Sequence, residues 1–269
     1  MFKQRAITSV IIVLLVIGVL FWAPVSIQLA FVMALIAVCA WEWLALIPLT
    51  NGIYRAGYFL VMLLLAAMTI VYGSIFSTMI AGLILTCWSL IILAILSYPM
   101  SQRIWGHAPV VALGGLIVVP LFLYGLVRIH NDYPNGKALI MYTIVLVWAA
   151  DVGAYLCGKW LGRHKLIPRV SPGKSWEGAL GGLLLVLVVA ALGNYYFQPQ
   201  YLFCWWGTAA ILFIQSVFGD LFISVLKRRR QLKDTGQILP GHGGMLDRLD
   251  SLLAVVPLAV LLYRFCLQA

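Results

Sequence analysis

Charged side chains are scarce in this chain. Of its 269 residues only 10% are charged and 64% are hydrophobic, and the mean hydropathy is +1.03. A soluble domain carries about a quarter of its residues as charged groups and needs a polar shell, so a soluble globular protein is excluded. A disordered chain is excluded as well, because such chains are poor in apolar residues.

Short alternating apolar segments and paired cysteines are also missing. A membrane β-barrel would show alternating hydrophobicity over short segments, whereas this sequence has long unbroken apolar runs. The five cysteines lie in or beside those runs and form no CxxC pair. This pattern favours small core residues over a disulfide framework or a zinc site. The class that remains is an all-α polytopic membrane protein, with the lipid bilayer as its first partner.

Nine stretches are long and apolar enough to predict transmembrane helices of about 20 residues. They cover residues 6–23, 25–46, 57–72, 75–97, 109–127, 138–158, 178–197, 202–226 and 252–267. We therefore divide the chain into an N-terminal part, 1–137, with five spans, and a C-terminal part, 138–269, with four spans and the long loops.

Basic residues are concentrated on one side of these predicted spans. With the N-terminus in the cytoplasm, 15 of the 18 Lys and Arg residues fall on the cytoplasmic side. The positive-inside rule then predicts this orientation. The rule also accounts for the net charge of +10 without a nucleic-acid partner. Only two of the eight acids precede residue 139, so we expect the chemistry in the second part of the chain.

Two aspartates lie inside predicted spans. Asp151 precedes Lys159 by eight residues, and Asp220 precedes Lys227 by seven. At 1.5 Å per helical residue, both carboxylates lie roughly 10–12 Å below the cytoplasmic end of their helices. Charged groups at such depth are costly and usually mark function. A shared polar cavity is one interpretation, and two separate contacts between helices are the other.

Two further aspartates, Asp247 and Asp250, begin the last predicted span. Their i,i+3 spacing puts them on one side of a helix. They are candidates either for helix capping, which suits acids at a helix start, or for a hard-cation site together with Asp220. Mg²⁺ is bound through one or two carboxylates plus phosphates and water, so a magnesium site beside a phosphate-bearing substrate is the hypothesis we carry forward.

Basic and glycine-rich loops accompany these acids. The backbone of residues 240–244 can offer N–H groups to a phosphate, with His242 as a phosphate donor or ligand. The stretch Ser171-Pro172-Gly173-Lys174-Ser175 resembles the end of a Walker A loop but lacks its first glycine. Lys174 remains a candidate phosphate ligand. Glu177 caps the seventh span or belongs to the site. Clustered cations beside a metal suit phosphoryl or nucleotidyl transfer.

Residues 224–250, SVLKRRRQLKDTGQILPGHGGMLDRLD, resemble the signature of the phosphatidate cytidylyltransferase (CDP-diacylglycerol synthase) family. The fixed positions of that signature are Ser224, Lys227, Arg228, Lys233, Asp234, His242, Gly243, Gly244, Asp247, Arg248 and Asp250. The stretch 171–178 and the pair Glu42-Trp43 also look like features of this family.

The resemblance implies a reaction in which CTP and phosphatidate give CDP-diacylglycerol and pyrophosphate with Mg²⁺, while the number of metal ions and a homodimer stay open. It also implies a bacterial inner-membrane enzyme whose site faces the cytoplasm. The expected catalytic residues are Asp220, Asp247, Asp250, Lys233 and His242, of which the three aspartates are the expected metal ligands. The expected substrate-binding residues are Lys174, Ser175, Lys227, Arg228, Asp234, Gly243, Gly244, Arg248, Asp151 and Glu177.

Two other functions compete with this hypothesis. A CTP-dependent polyprenol or lipid kinase would transfer the γ-phosphoryl group and release CDP. A transporter for an anionic solute would also use basic loops and intramembrane acids, but it would spread its charges along a path to both faces. Here the charges crowd one face.

Overall fold

The structure, a computed structural model, describes residues 2–168, 170–239, 241 and 243–267, without the side chains of residues 2–6 and 172. The described residues form ten helices and one β-hairpin. The elements are α1 (Phe2–Trp22), α2 (Val25–Leu46), α3 (Gly52–Tyr72), α4 (Ser77–Leu96), α5 (Gln102–Trp105), α6 (Ala108–Asp132), α7 (Gly136–Leu161), β1 (Lys165–Ile167), β2 (Ser171–Ser175), α8 (Trp176–Phe197), α9 (Leu202–Arg229) and α10 (Leu246–Cys266).

Eight of these helices, α2–α4 and α6–α10, are long and apolar enough to cross a membrane. The prediction of an all-α polytopic membrane protein is therefore confirmed. The first predicted span corresponds to α1, whose apolar part Ile7–Trp22 is shorter than the other eight helices. Nine crossings and the side of the N-terminus stay predictions.

The segment between α7 and α8 contains a feature that the sequence did not predict. Residues 171–175, expected to be part of a glycine-rich loop, form β2, which pairs antiparallel with β1. Lys165 lies opposite Ser175, and Ile167 lies opposite Ser171. The hydroxyl of Ser175 then accepts the Gly178 N–H at 3.1 Å and caps α8. The hairpin therefore ends where a helix start holds it.

Helix α10 lies at the centre of the bundle and α3 at its edge. Within the most apolar 18 residues of each helix, 67% of the residues of α10 are buried, compared with 11% of those of α3. The core around α10 contains Trp43 of α2 and Tyr124 of α6, both almost fully buried. The indole N–H of Trp43 donates to the carbonyl of Val111 at 3.1 Å, which links α2 to α6 inside this core.

Small residues let α7 and α8 approach each other closely. A Cβ on Gly182 would lie 2.8 Å from the carbonyl oxygen of Ala150, and a Cβ on Gly178 would lie 2.8 Å from that of Ala154. Close backbone approach through small residues is the usual way for membrane helices to associate. This contact brings Asp151, which follows Ala150 in α7, next to the start of α8 and its hairpin.

Candidate active site

Lys174 of β2 and Asp220 of α9 form the centre of the candidate active site. The ammonium group of Lys174 lies 2.7 Å from Oδ2 of Asp220. Oδ1 of Asp220 accepts a hydrogen bond from the hydroxyl of Ser224, one turn further along α9, at 3.1 Å. The lysine and aspartate side chains remain 26% and 33% exposed, so a ligand can reach the pair.

Two more carboxylates, Asp151 of α7 and Asp250 of α10, lie around this ion pair. Asp151 and Asp250 both interact electrostatically with Asp220 and Lys174, and Asp250 also interacts with Asp151. Arg248 adds a second positive charge near Asp151. The structure thus brings three acids and two cations from four elements together, which favours one polar site over separate contacts between helices.

Helices α9 and α10 are in backbone contact beside these carboxylates. A Cβ on Gly219 would lie 2.7 Å from the carbonyl oxygen of Asp250 and 2.8 Å from Cβ of Ala254. One turn earlier in α9, the carbonyl of Ser216 accepts a hydrogen bond from the Ser251 hydroxyl at 3.0 Å. Asp220 directly follows Gly219, so this close approach sets the separation of Asp220 from Asp250.

A cleft of about 210 Å³ opens beside the ion pair, between α7, α8, α9 and the hairpin. Its polar lining includes Asp151, Lys174 and Ser175, and its apolar lining includes Phe213 and Val217. A cleft with a charged end and apolar walls suits an amphipathic ligand. The predicted substrate-binding residues Asp151, Lys174 and Ser175 therefore share one cavity.

Asp247 belongs to a second, neighbouring cluster. Its Oδ1 lies 2.6 Å from the ammonium group of Lys227, in an ion pair with 3% of the aspartate side chain and 15% of the lysine exposed. Its Oδ2 accepts the Thr235 N–H at 2.8 Å, the Thr235 hydroxyl at 3.1 Å and the Gly244 N–H at 3.1 Å. The charge of Lys227 also acts on Asp220, which links the two clusters.

Glu42 of α2 completes the second cluster, although the resemblance to the family marked only the pair Glu42-Trp43 and assigned Glu42 no role in the site. Its carboxylate accepts the N–H groups of Met245 and Leu246 at 2.9 and 2.7 Å and the Thr235 hydroxyl at 3.1 Å. Glu42 is only 2% exposed. An acid within an apolar run is a signal that could have marked it, because such acids are rare in membrane spans.

Glu177 lies at the start of α8 but binds the loop before the hairpin. Its carboxylate accepts the N–H of Arg163 at 3.1 Å and that of His164 at 3.2 Å, and it pairs with the His164 ring at 2.6 Å. The helix cap itself is Ser175. Glu177 therefore holds the loop that supports the hairpin, and its expected role in substrate binding stays a prediction.

The remaining predicted residues lie on or near the loop between α9 and α10. Arg228, Lys233, Asp234 and Arg248 are exposed. Gly243 has a φ of +82°, and its carbonyl accepts the Leu239 N–H at 3.0 Å, which closes the loop on itself. The Gly244 N–H, expected to face a phosphate, is instead bound by Asp247. His242 lies outside the described residues.

The three expected metal ligands are divided between the two clusters. Asp220 and Asp250 interact with each other, whereas Asp247 faces Lys227 and Thr235. Across the described part of the chain, no three His, Cys, Asp or Glu side chains are grouped closely enough to hold a metal ion by themselves. Two carboxylates supplemented by phosphate oxygens still match the usual donor set of Mg²⁺.

Comparison with known proteins identifies one family model and several relatives that are similar to this chain. The sequence model described as the "Cytidylyltransferase family" matches residues 3–266. A protein of Pseudomonas aeruginosa named phosphatidate cytidylyltransferase is 37% identical over 266 residues, covering 96% of this chain and 95% of the relative. A protein of Haemophilus influenzae with the same name is 34% identical over 299 residues, covering 99% and 100%. One from Staphylococcus aureus is 43% identical over 136 residues, about half of each chain.

Proposed function

The chain belongs to the cytidylyltransferase family, and we propose that it is a CTP:phosphatidate cytidylyltransferase. The observation that carries this proposal is the cleft whose charged lining is Asp151 and Lys174, with Lys174 paired to Asp220 and Asp250 acting on the same group of charges. The names of relatives that align over nearly the whole chain support the choice of substrates. A signature filled at every fixed position supports it further.

The cleft and the loop suit two different substrates. We propose that the phosphate of phosphatidate binds at Lys174 and that the acyl chains follow the apolar wall formed by Phe213 and Val217. CTP is water-soluble, and we assign it to the loop side, where Lys227 lies between the two clusters and Arg228 and Lys233 are exposed. The reacting phosphates then meet near Asp220.

The reaction needs positioning and charge neutralisation more than a base. A phosphate oxygen of phosphatidate attacks the α-phosphorus of CTP and forms the new P–O bond. The bond from the α-phosphorus to the bridging oxygen breaks, and pyrophosphate leaves with that electron pair. The nucleophile is already an anion, so no proton must be removed. Lys174 and Lys227 are the cations best placed to hold two polyanions together.

The residues present fit the Mg²⁺ requirement that we include in the proposal. Asp220 and Asp250 offer carboxylate oxygens. Together with Asp151 they carry more negative charge than Lys174 and Arg248 neutralise. When bound, the ion neutralises charge on the triphosphate and on the pyrophosphate that leaves. Asp247 Oδ2 is occupied by three donors, so the oxygen that this residue can offer is Oδ1, now paired with Lys227.

The proposal extends to the membrane and the side of the site. The bacterial relatives and the eight apolar helices support a multi-pass protein of the bacterial inner membrane. The basic residues at the ends of α7 and α9 support a site that opens to the cytoplasm, where CTP is made available to the enzyme.

Detergent-purified protein, assayed for pyrophosphate release with CTP, Mg²⁺ and phosphatidate, tests the proposed function. We expect stoichiometric pyrophosphate and CDP-diacylglycerol, and no product when any one component is omitted. Production of CDP with a phosphorylated lipid, and without pyrophosphate, would instead identify a lipid kinase. A protein that turns over neither substrate would contradict the proposal outright.

A further inference from the structure

Glu42 joins the N-terminal part of the chain to the loop between α9 and α10, which carries much of the signature and which we call the signature loop. It lies in α2, yet its three hydrogen-bond donors are Met245, Leu246 and Thr235, about 200 residues later in the sequence. The two N–H groups lie at the start of α10, where the first backbone N–H groups of a helix have no acceptor within that helix. A buried carboxylate here caps α10 from outside that helix and fixes where it begins.

Thr235 stands between Glu42 and Asp247. Its hydroxyl lies 3.1 Å from Oε2 of Glu42 and 3.1 Å from Oδ2 of Asp247, and its N–H binds that same Asp247 oxygen at 2.8 Å. A hydroxyl has one proton to donate, so it serves one carboxylate at a time. Thr235 therefore ties the orientation of Asp247 to the position of Glu42.

The surroundings of Glu42 leave little room for another arrangement. A Cβ on Gly236 would lie 2.8 Å from Cδ of Glu42, and a Cβ on Gly244 would lie 2.5 Å from its Oε2. Both glycines belong to the loop between α9 and α10. Any larger residue at either position would collide with the carboxylate, so both positions require glycine.

We propose that Glu42 and Thr235 are positioning residues for the signature loop. They act through Asp247 and the start of α10, and so set the orientation of Lys227 and of Asp250, four residues into that helix. This inference rests on the proposed function for its catalytic consequence. Neither residue belongs to the fixed positions of the signature, and neither faces the cleft.

Steady-state kinetics provide the first test, with rates expressed per mole of folded protein. Glu42→Gln keeps the size but replaces one acceptor oxygen by an NH₂ group that faces a backbone N–H. We expect kcat to fall about tenfold or more, with KM for phosphatidate nearly unchanged, since misplaced groups slow the chemical step. Thr235→Val should fall similarly, whereas Thr235→Ser, which retains the hydroxyl, should keep most of the wild-type rate.

Asp132→Asn is the matched control for loss of a largely buried carboxylate. Asp132 pairs with Arg128 at 2.8 Å, at the end of α6 remote from the site. We expect it to lower thermal stability while kcat stays near wild type. If Thr235→Val and Thr235→Ser behave alike, or if Glu42→Gln keeps the wild-type kcat, the positioning role is wrong. The Thr235 pair decides the question even where Glu42→Gln does not fold.

Hydrogen exchange measured by mass spectrometry provides a second test that needs no activity. In Glu42→Gln, amide exchange in peptides covering 243–250 should accelerate about tenfold or more, because the N–H groups at the start of α10 lose a carboxylate acceptor. Peptides from α6 should not change. Unchanged exchange in these peptides would overturn the proposed positioning role of Glu42. If the wild-type protein is inactive but the exchange changes as expected, the proposed function is wrong and the contact between Glu42 and the start of α10 is still supported.

Discussion

Lys174 and Asp220 form an ion pair of 2.7 Å that joins the hairpin to α9. Lys227 and Asp247 form a second pair of 2.6 Å between α9 and α10. In each pair, an expected phosphate ligand neutralises an expected metal ligand. When phosphates and a cation bind together, the phosphates can pair with the lysine and the cation with the aspartate. Phosphates alone would leave the aspartate without a partner, and a cation alone would leave the lysine without one. We therefore expect CTP and Mg²⁺ to bind more tightly together than separately.

Replacing Lys174 tests the ion pair at the charged end of the cleft. Lys174→Met keeps an unbranched apolar stem but removes the charge that acts on Asp151, Asp220 and Asp250. We expect kcat/KM for pyrophosphate release to fall about a hundredfold, which corresponds to about 2.7 kcal/mol of lost transition-state stabilisation. Lys137→Met, at the opposite end of α7 from Asp151, is the control. Equal rates for the two variants would exclude Lys174 from the site.

Gly219 tests whether close packing of α9 on α10 sets the site geometry. Gly219→Ala places a Cβ 2.7 Å from the backbone oxygen of Asp250, so the two helices must separate there. We expect a loss of about 1–3 kcal/mol in stability from overpacking, and a reduced kcat. Thermal unfolding in detergent and pyrophosphate release measure the two effects.

Gly207→Ala is the matched control in the same helix. A Cβ at Gly207 meets nothing within 4 Å. Alanine is the better helix former by about 1 kcal/mol, so this variant should be neutral or slightly more stable. If both alanine variants behave alike, the close approach at Gly219 does not control Asp220 and Asp250.

The helices were largely predictable from the sequence, because apolar runs and breaks are local signals. The predicted span 25–46 coincides with α2, which begins directly after Pro24. The start of α9 at Leu202 was also correct. The four-residue helix α5 and the hairpin were not predicted, because elements so short show no periodicity. The hairpin matters most, since it carries Lys174 to Asp220.

The site was only partly predictable, because its contacts join distant parts of the chain. Nothing in the spacing of Glu42 and Leu246 reveals a 2.7 Å hydrogen bond. The i,i+3 spacing of Asp247 and Asp250 was expected to aim both carboxylates at one cation. Three residues turn a helix by about 300°, so the two side chains still diverge by about 60°. That divergence lets Asp247 face Lys227 while Asp250 interacts with Asp220.

Chemical labelling tests the predicted orientation. Gln237 lies exposed in the loop between α9 and α10, and Asn131 lies exposed near the end of α6. The positive-inside rule puts Gln237 in the cytoplasm and Asn131 outside. In a background with the native cysteines replaced, Gln237→Cys should react with an impermeant maleimide only in inside-out vesicles. Asn131→Cys should react in intact spheroplasts. The reverse pattern would contradict the orientation.

Metal titration tests the proposed Mg²⁺ site, and Asp250 is the residue to change. Excess EDTA should abolish pyrophosphate release, and added Mg²⁺ should restore it. Asp250→Asn keeps the size of the side chain, removes one of the three carboxylates that interact beside Lys174, and leaves Asp220 in place. We expect the Mg²⁺ concentration for half-maximal rate to rise about tenfold or more and kcat to fall about a hundredfold. Mn²⁺, which binds nitrogen and oxygen ligands more readily, should restore part of the rate. If Asp250→Asn keeps the wild-type rate and Mg²⁺ dependence, then Asp250 serves α10 only, and a metal must be bound by Asp220 with other groups.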